Sequence, residues 1–524
     1  MMTDSVVPTT DLSSAEIVPP VVSNSEPFAP DRVDGYFALA TFVLGFLFVR
    51  WVLLYWQGWG VSLFTVNYVS SVTLYLKHKG RAIPRASWFW LAILVLTGLS
   101  YGLWQGNGLQ PWREFFLFGV AVYWVLIATD MTLLQGTSDW LPLDGLQGLF
   151  VIPLRNFWGQ YKGLATLGKK RETRGQAMWP VALGIALALV ITAMVVPLLM
   201  EADSGGFSAI FDNIGERLRW MQLSSVELQL HLMLTIPVAA YIYGLVVGSA
   251  HRRGMPSYKP EAAEKAVDSL RMLPAVTVFI VLGTITGLYL VFILSQIPYF
   301  FSAFTGARPE GWQVYSEYAR NGFFELCSIA IINLSLLTAA NLGIQKQARQ
   351  KTLLKVLNCV VSLLTLLLIA TAWSKMALYI SVYGLSVKRL LPCVFMLFLT
   401  VVYLGVIALQ RRCFSIVRLA AVVGSVLFCL LCLSDPDGFV TRYNANRYLT
   451  GTLNNFDVSI LYRAGAAGID GALLVYDKTN DAVLRYELDG YIGYWQPMIR
   501  GAAGMPKDTL QNALARQMLS RQSR

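Results

Sequence analysis

The chain has 524 residues, of which 55% are hydrophobic and only 14% charged, with a mean hydropathy of +0.53. A soluble domain carries about a quarter charged residues, so this balance excludes an ordinary water-solvated surface and places the protein in a membrane. The net charge of +11 falls in short runs between apolar segments, a pattern of membrane topology that excludes a nucleic-acid-binding domain.

In chain order, residues 1–35 are rich in Ser, Thr, Pro and acids, with Arg32 as their one basic residue. They hold no apolar run able to insert or be cleaved, and are predicted to form a disordered cytoplasmic tail. Residues 36–434 form a transmembrane helical domain. A bilayer core of about 30 Å needs about 20 mostly apolar residues per helix. On that test eleven spans are predicted: 36–55, 59–76, 87–104, 114–133, 179–200, 230–250, 275–297, 325–344, 356–374, 393–410 and 419–434. The stretch 138–157, with two prolines and two acids, is expected to be re-entrant or interfacial rather than a span. With the N-terminus inside, 23 Lys and Arg lie in inner segments and 8 in outer ones. That bias orients the bundle and, with an odd count, puts the C-terminus outside.

Two loops carry helical patterns. The acidic outer loop 201–229 spaces Leu218, Met221, Leu223, Val226 and Leu228 as an amphipathic surface helix would. The inner loop 251–274 predicts a short polar helix after Pro260, which caps the bundle and holds anionic lipid headgroups. After the last span, Asp435 and Pro436 signal a helix start. Gly451 ends that helix, and Val458, Leu461, Tyr462, Ile469 and Leu473 continue at helical spacing. Residues 435–505 are thus expected to be a small helical extracytoplasmic subdomain, and 506–524 a polar tail that frays. The fold class is all-α, a polytopic bundle carrying this subdomain.

The six cysteines are not paired with the three histidines at zinc-ligand spacing, so neither a metal nor a cofactor is signalled. Cys429 and Cys432 form C-x-x-C inside the last span, where a thiol behaves as a small hydrophobe.

Three segments concentrate unusual residues near the membrane surface: YSEYARNGFFEL (315–326), YGLSVKR (383–389) and RYNANRY (442–448). In order and spacing they resemble a bacterial polytopic membrane family known only as a domain of unknown function, in related groups numbered 4173 and 4153. The resemblance runs from about residue 35 to about 476. Ser386 stands where Thr is more usual and keeps the hydroxyl. The resemblance implies a multi-span protein of the bacterial inner membrane, and it brings no activity, cofactor or catalytic residue.

The candidate residues are Tyr315, Tyr318, Arg320, Phe323 and Glu325 in the first segment, Tyr383, Gly384 and Arg389 in the second, and Arg442, Tyr443, Asn444 and Arg447 in the third. Arg320 and Glu325 stand about 140° apart on a helix and need separate partners. They read as depth-fixing anchors, as charges at a cavity mouth, or as a proton-coupled site. Arg389, Arg442 and Arg447 share the outer face. They either tie the tail to the bundle, through Asp437 and Asp457, or grip an anion. Asn67, Asn333, Asn341 and Asn358 are expected to make interhelical hydrogen bonds.

Three functional classes stay open. The first is a non-enzymatic protein acting through a protein partner and membrane lipids, as regulator, sensor or assembly factor. The second is a transporter or channel for a small anionic or lipid-like solute, and the third a membrane transferase with Glu325 or Asp437 as base.

Overall fold

The structure is a computed structural model that describes residues 28–54, 58–167, 225–256, 259–269, 271, 273–305, 315–344, 351–412, 414–504 and 506–522. Among these residues every regular element is helical, and the one isolated bridge joins Leu273 to Ile344.

The chain opens with α1 (Arg32–Phe48), which runs on through a π-turn (Val49–Leu53). Its start is fixed by a reciprocal cap: the Asp34 N–H donates to Asp31 Oδ1 at 2.9 Å, and the Asp31 N–H to Asp34 Oδ2 at 3.0 Å. Helix therefore begins at Arg32, inside the stretch expected to be disordered; residues 1–27 lie outside the described residues. Antiparallel spans α2 (Trp59–His78), α3 (Arg85–Leu103) and α4 (Gln110–Ala128) follow. With α8 (Ser225–Ala250) they enclose a first core around Tyr68, Tyr101, Trp124 and Tyr243. We call the end of the bundle that carries Asp31 the amino-terminal face.

Between α4 and α8, three short helices, α5 (Leu141–Leu146), α6 (Ile152–Arg155) and α7 (Gly159–Leu167), form a hairpin. It enters beside the face, where the Gln147 side chain meets the Met131 carbonyl and the Met255 N–H. Pro153 then packs on Gly244 so closely that a Cβ there would lie 2.5 Å from its carbonyl oxygen. Gln160 reaches Thr41 Oγ1 at 3.0 Å, and Thr166 is back at the Asp31 carbonyl at 2.9 Å. The seven residues from Asp34 to Thr41 correspond to a depth of about 10 Å. The stretch 138–157, expected to be re-entrant or interfacial, and the α7 that follows it thus dip into the bundle and return to the face they left.

A short helix, α9 (Pro260–Ser269), lies where the sequence placed one. The second bundle comprises α10 (Ala275–Thr305), α11 (Tyr315–Gly343), α12 (Lys351–Tyr383) and α13 (Val387–Leu409), around a core that includes Leu282, Ala330, Val361 and Met396. On α10 the outward Val276, Ile280, Leu288, Val291 and Leu294 are all exposed, an arrangement that suits hydrocarbon and not water. The last span, α14 (Ile416–Leu433), starts where Ser415 caps the Arg418 N–H and packs on both α3 and α13.

Ten helices among the described residues are long and apolar enough to cross a membrane. Nine coincide with expected spans. The tenth, Val458–Tyr476, is broken at Gly465 (φ +63°) by a 3-10 turn and is packed inside the C-terminal unit. The expected span at 59–76 is α2, which has the length but not the apolarity of the others. The span expected at 179–200 lies outside the described residues, as does most of the 201–229 loop.

The C-terminal unit consists of α15 (Pro436–Leu449), α16 (Val458–Ala464), α17 (Gly468–Tyr476), α18 (Ala482–Gly501) and α19 (Leu510–Gln522). Asp435, Asp457 and Asp481 each accept N–H bonds that start a helix. Leu461, Ile469, Leu488 and Tyr491 form its core. The expectation that residues 506–524 fray is corrected over 506–522. Ala515 and Leu519 are buried in that core, and the backbone carbonyls of Pro506 and Asp508 cap α2 by accepting the Gly60 and Trp59 N–H groups at 3.0 and 3.1 Å.

Candidate functional site on the carboxy-terminal face

The last turn of a helix leaves carbonyls without intrahelical partners and a partial negative charge. At the end of α12 two of the singled-out arginines meet that need. Arg447, from α15, donates to the Ile380 and Ser381 carbonyls at 3.0 and 2.9 Å and back to Thr452 at 2.6 Å. Arg389, from α13, donates to the Tyr383 carbonyl at 2.9 Å and to that of Gly384, with its guanidinium 4.3 Å from the Tyr379 ring centre. Asn444 completes the junction. Its Nδ2 donates to the Leu385 carbonyl and its Oδ1 accepts the Leu385 N–H, both at 2.7 Å. Gly384 sits at φ +74°, and a Cβ there would lie 2.8 Å from Asn444 Oδ1, so this turn requires glycine.

The second and third segments are therefore one constellation, which joins the C-terminal unit to the α12–α13 turn. Arg442 stands apart from it, half exposed, with Asp435 at 3.6 Å and Asp470 at 3.5 Å. Tyr443 lies beside Phe439 and under the Arg447 guanidinium at 5.8 Å. Glu325, on α11, is exposed and within electrostatic reach of the buried Lys375. The side chains of Tyr315, Tyr318, Arg320 and Phe323 lie outside the described residues.

Sequence reasoning missed Arg113. It is 1% exposed, stacks at 3.7 Å over Tyr101, and donates to the Trp104 and Gln105 carbonyls at 3.3 and 2.8 Å. The loop it holds presents the Gly108 N–H to Asp437 Oδ2 at 3.3 Å. Trp104 Nε1 donates to the Leu433 carbonyl at 2.9 Å, and Gln511 ties α19 to Asp435 at 2.9 Å. Burial pushes the Asp437 carboxyl up to about 6, and the neighbouring Asp435 adds to the rise; the Gly108 N–H and the Arg113 charge oppose it. Burial raises Asp435 as well, against the Gly438 N–H, Gln511 and Arg442. The signal in the sequence was the pair of acids flanking Pro436 at a helix start, together with a lone arginine after a Gly-Asn-Gly turn.

A second polar centre lies on the amino-terminal face. Asp34, fully buried, has Lys79 Nζ at 2.8 Å, His251 Nε2 at 3.1 Å and the Tyr75 hydroxyl at 2.7 Å. Lys79 also reaches Asp31 at 2.9 Å. Three spans, α1, α2 and α8, are pinned at one level by this cluster. Among the described residues no group of three or more His, Cys, Asp or Glu side chains converges on a position for a metal ion.

The fold and these junctions define a multi-pass, all-helical membrane protein. Over residues 91–472 the chain matches a family described as a domain of unknown function, DUF4153, and belongs to it. The match contains both halves of the arginine constellation and begins after Asp34 and Lys79. No curated protein and no solved structure matches the chain.

Proposed function

We propose that the protein acts without chemistry of its own, through a protein partner that docks on the C-terminal unit, as a regulator, sensor or assembly factor. The carrying observation is the junction itself. Arg389, Arg447 and Asn444 are satisfied by the backbone of the α12–α13 turn, which fixes the unit as a platform and leaves these arginines occupied. That platform exposes Tyr462, Tyr486 and Tyr494, aromatic side chains of the kind enriched where proteins meet.

The transport reading has less support. Asn333 bonds Tyr289 and Thr365, and Asn358 bonds Asn341 and Gln410, so these amides join helices instead of lining a path; Asn67, expected to do the same, is exposed and bonds the Leu63 carbonyl of its own helix. The charge bias supports a cytoplasmic amino-terminal face and a C-terminal unit on the outer side of the membrane. A cysteine replacing the exposed Asn480 is expected to label from outside intact cells.

The function is tested by purifying the full chain from native membranes in polymer discs, beside the double variant Tyr486→Asp, Tyr494→Asp. A stoichiometric protein that stays with the parent and is lost from the correctly folded variant supports the reading. Retention of a small anion in place of any protein contradicts it.

A further inference from the structure

Three spans end side by side on the amino-terminal face, and all three end in the same way. At α2, α4 and α8 the closing bonds are Arg81 N–H to the Leu76 carbonyl (3.0 Å), Met131 N–H to Leu126 (2.8 Å) and Arg253 N–H to Gly248 (2.8 Å). Each closure needs one residue in the left-handed region just before the donor, a position that glycine normally fills. Gly80 fills it at α2, with φ +65°. At α4 and α8 the residues are Asp130 (φ +56°) and Arg252 (φ +53°), two of the three non-glycine residues with positive φ among those described. Asp tolerates this conformation and Arg has no such advantage, so backbone geometry does not account for Arg252.

All three left-handed residues border one cavity of about 530 Å³, which also includes Arg81, Ala86 and Thr129 in its lining. The volume falls in the range of small-molecule sites, about 300–1,000 Å³. Its lining carries both signs: Asp130 and the closing turns of α2, α4 and α8, negative by the helix dipole, together with the basic Arg81 and Arg252 and with Ala86 from the first turn of α3, which has no side-chain cap and so favours an anion. Arg81 is oriented by a bond to the Ala250 carbonyl. Asp130 and Arg252 make no side-chain hydrogen bond or ion pair among the described residues.

We infer that this cavity binds the headgroup of a phosphoethanolamine-type lipid, its phosphate on Arg81, Arg252 and the start of α3, and its ammonium at Asp130. The site lies where the spans meet the membrane surface, the level of lipid headgroups. Fork-shaped guanidiniums suit a phosphate, and a single anion would leave Asp130 opposed to it. The inference is independent of the partner reading above, since it uses the opposite face.

The test is native mass spectrometry and thermal unfolding of the detergent-purified full chain. The probes are phosphatidylethanolamine, phosphatidylglycerol, soluble phosphoethanolamine and inorganic phosphate. Phosphatidylethanolamine is expected to bind best. Arg252→Gly should weaken it about tenfold or more while Tm holds or rises, because glycine removes the left-handed strain. Asp130→Gly should abolish the preference for phosphatidylethanolamine over phosphatidylglycerol. Arg252→Asn, which tolerates the same backbone, should behave as Arg252→Gly. A fall in Tm with binding unchanged would make Arg252 a structural cap and overturn the inference. Equal binding of the two lipids would reduce the site to a basic patch, and soluble phosphoethanolamine binding as tightly as the lipid would overturn the membrane source.

Discussion

Asp34 and Asp437 make an instructive pair, one on each face of the bundle. Both are buried and both stand at the start of a helix. Asp34 is met by two basic side chains, a tyrosine hydroxyl and a backbone N–H, all within 3.1 Å. Asp437 is met by one backbone N–H at 3.3 Å, and no cation stands within ion-pair distance of it among the described residues. The desolvation of Asp34 is offset locally. That of Asp437 is not, which is why its carboxyl rises to about 6. The amino-terminal face is thus closed by ion pairs between spans. The carboxy-terminal face is held by side chains bonded to backbone, with a titratable acid beneath them.

The contrast can be broken most severely at Lys79. Lys79→Met leaves the Asp34 carboxylate without its shortest ion pair and is expected to destabilise the amino-terminal bundle by about 3 kcal/mol or more, measured by denaturant unfolding in detergent. A smaller loss is expected for Asn444→Ala, which strands both the N–H and the carbonyl of the buried Leu385. A cost of about 2–3 kcal/mol should appear as faster proteolysis of residues 436–522 with the spans intact.

Asp437→Asn sharpens the comparison through pH. Because the folded pKa of about 6 lies above the ordinary carboxylate value of 3.8, the folded chain holds an extra proton between those values. Its contribution to stability is complete below about pH 4 and is lost as pH rises through about 6. The variant should be more stable than the parent at pH 7, by on the order of 1–3 kcal/mol, and flatter in its stability between pH 4 and 7. Melting curves at the two pH values check this. Arg442→Glu is expected to do least, about 1 kcal/mol, since its two ion pairs are long and Arg442 itself is half exposed.

Much of the architecture is legible in the sequence, for a physical reason: about 20 apolar residues are needed to cross a bilayer, and such runs cannot hide. The cap at Asp435 and the stop at Gly451 are equally local signals. Partner choice is where the reading failed. Charge matching paired the arginines with Asp437 and Asp457, yet Asp457 caps its own helix and Arg389 and Arg447 bind helix-end carbonyls, which no composition advertises. Asp34 was hidden in a polar tail, 217 residues from His251, and each looked unremarkable alone. The last helix was hidden because its buried Ala515 and Leu519 are diluted by Gln, Arg and Ser.

The central claim is that Asn444 and Arg447, and not the more conspicuous Arg442, fix the C-terminal unit to the bundle. Hydrogen–deuterium exchange of the full chain in lipid discs tests it directly, comparing Asn444→Ala with Arg442→Glu. The account predicts that protection across α15 falls by about tenfold or more in Asn444→Ala and stays within about twofold of the parent in Arg442→Glu. Protection lost in Arg442→Glu and kept in Asn444→Ala would contradict it.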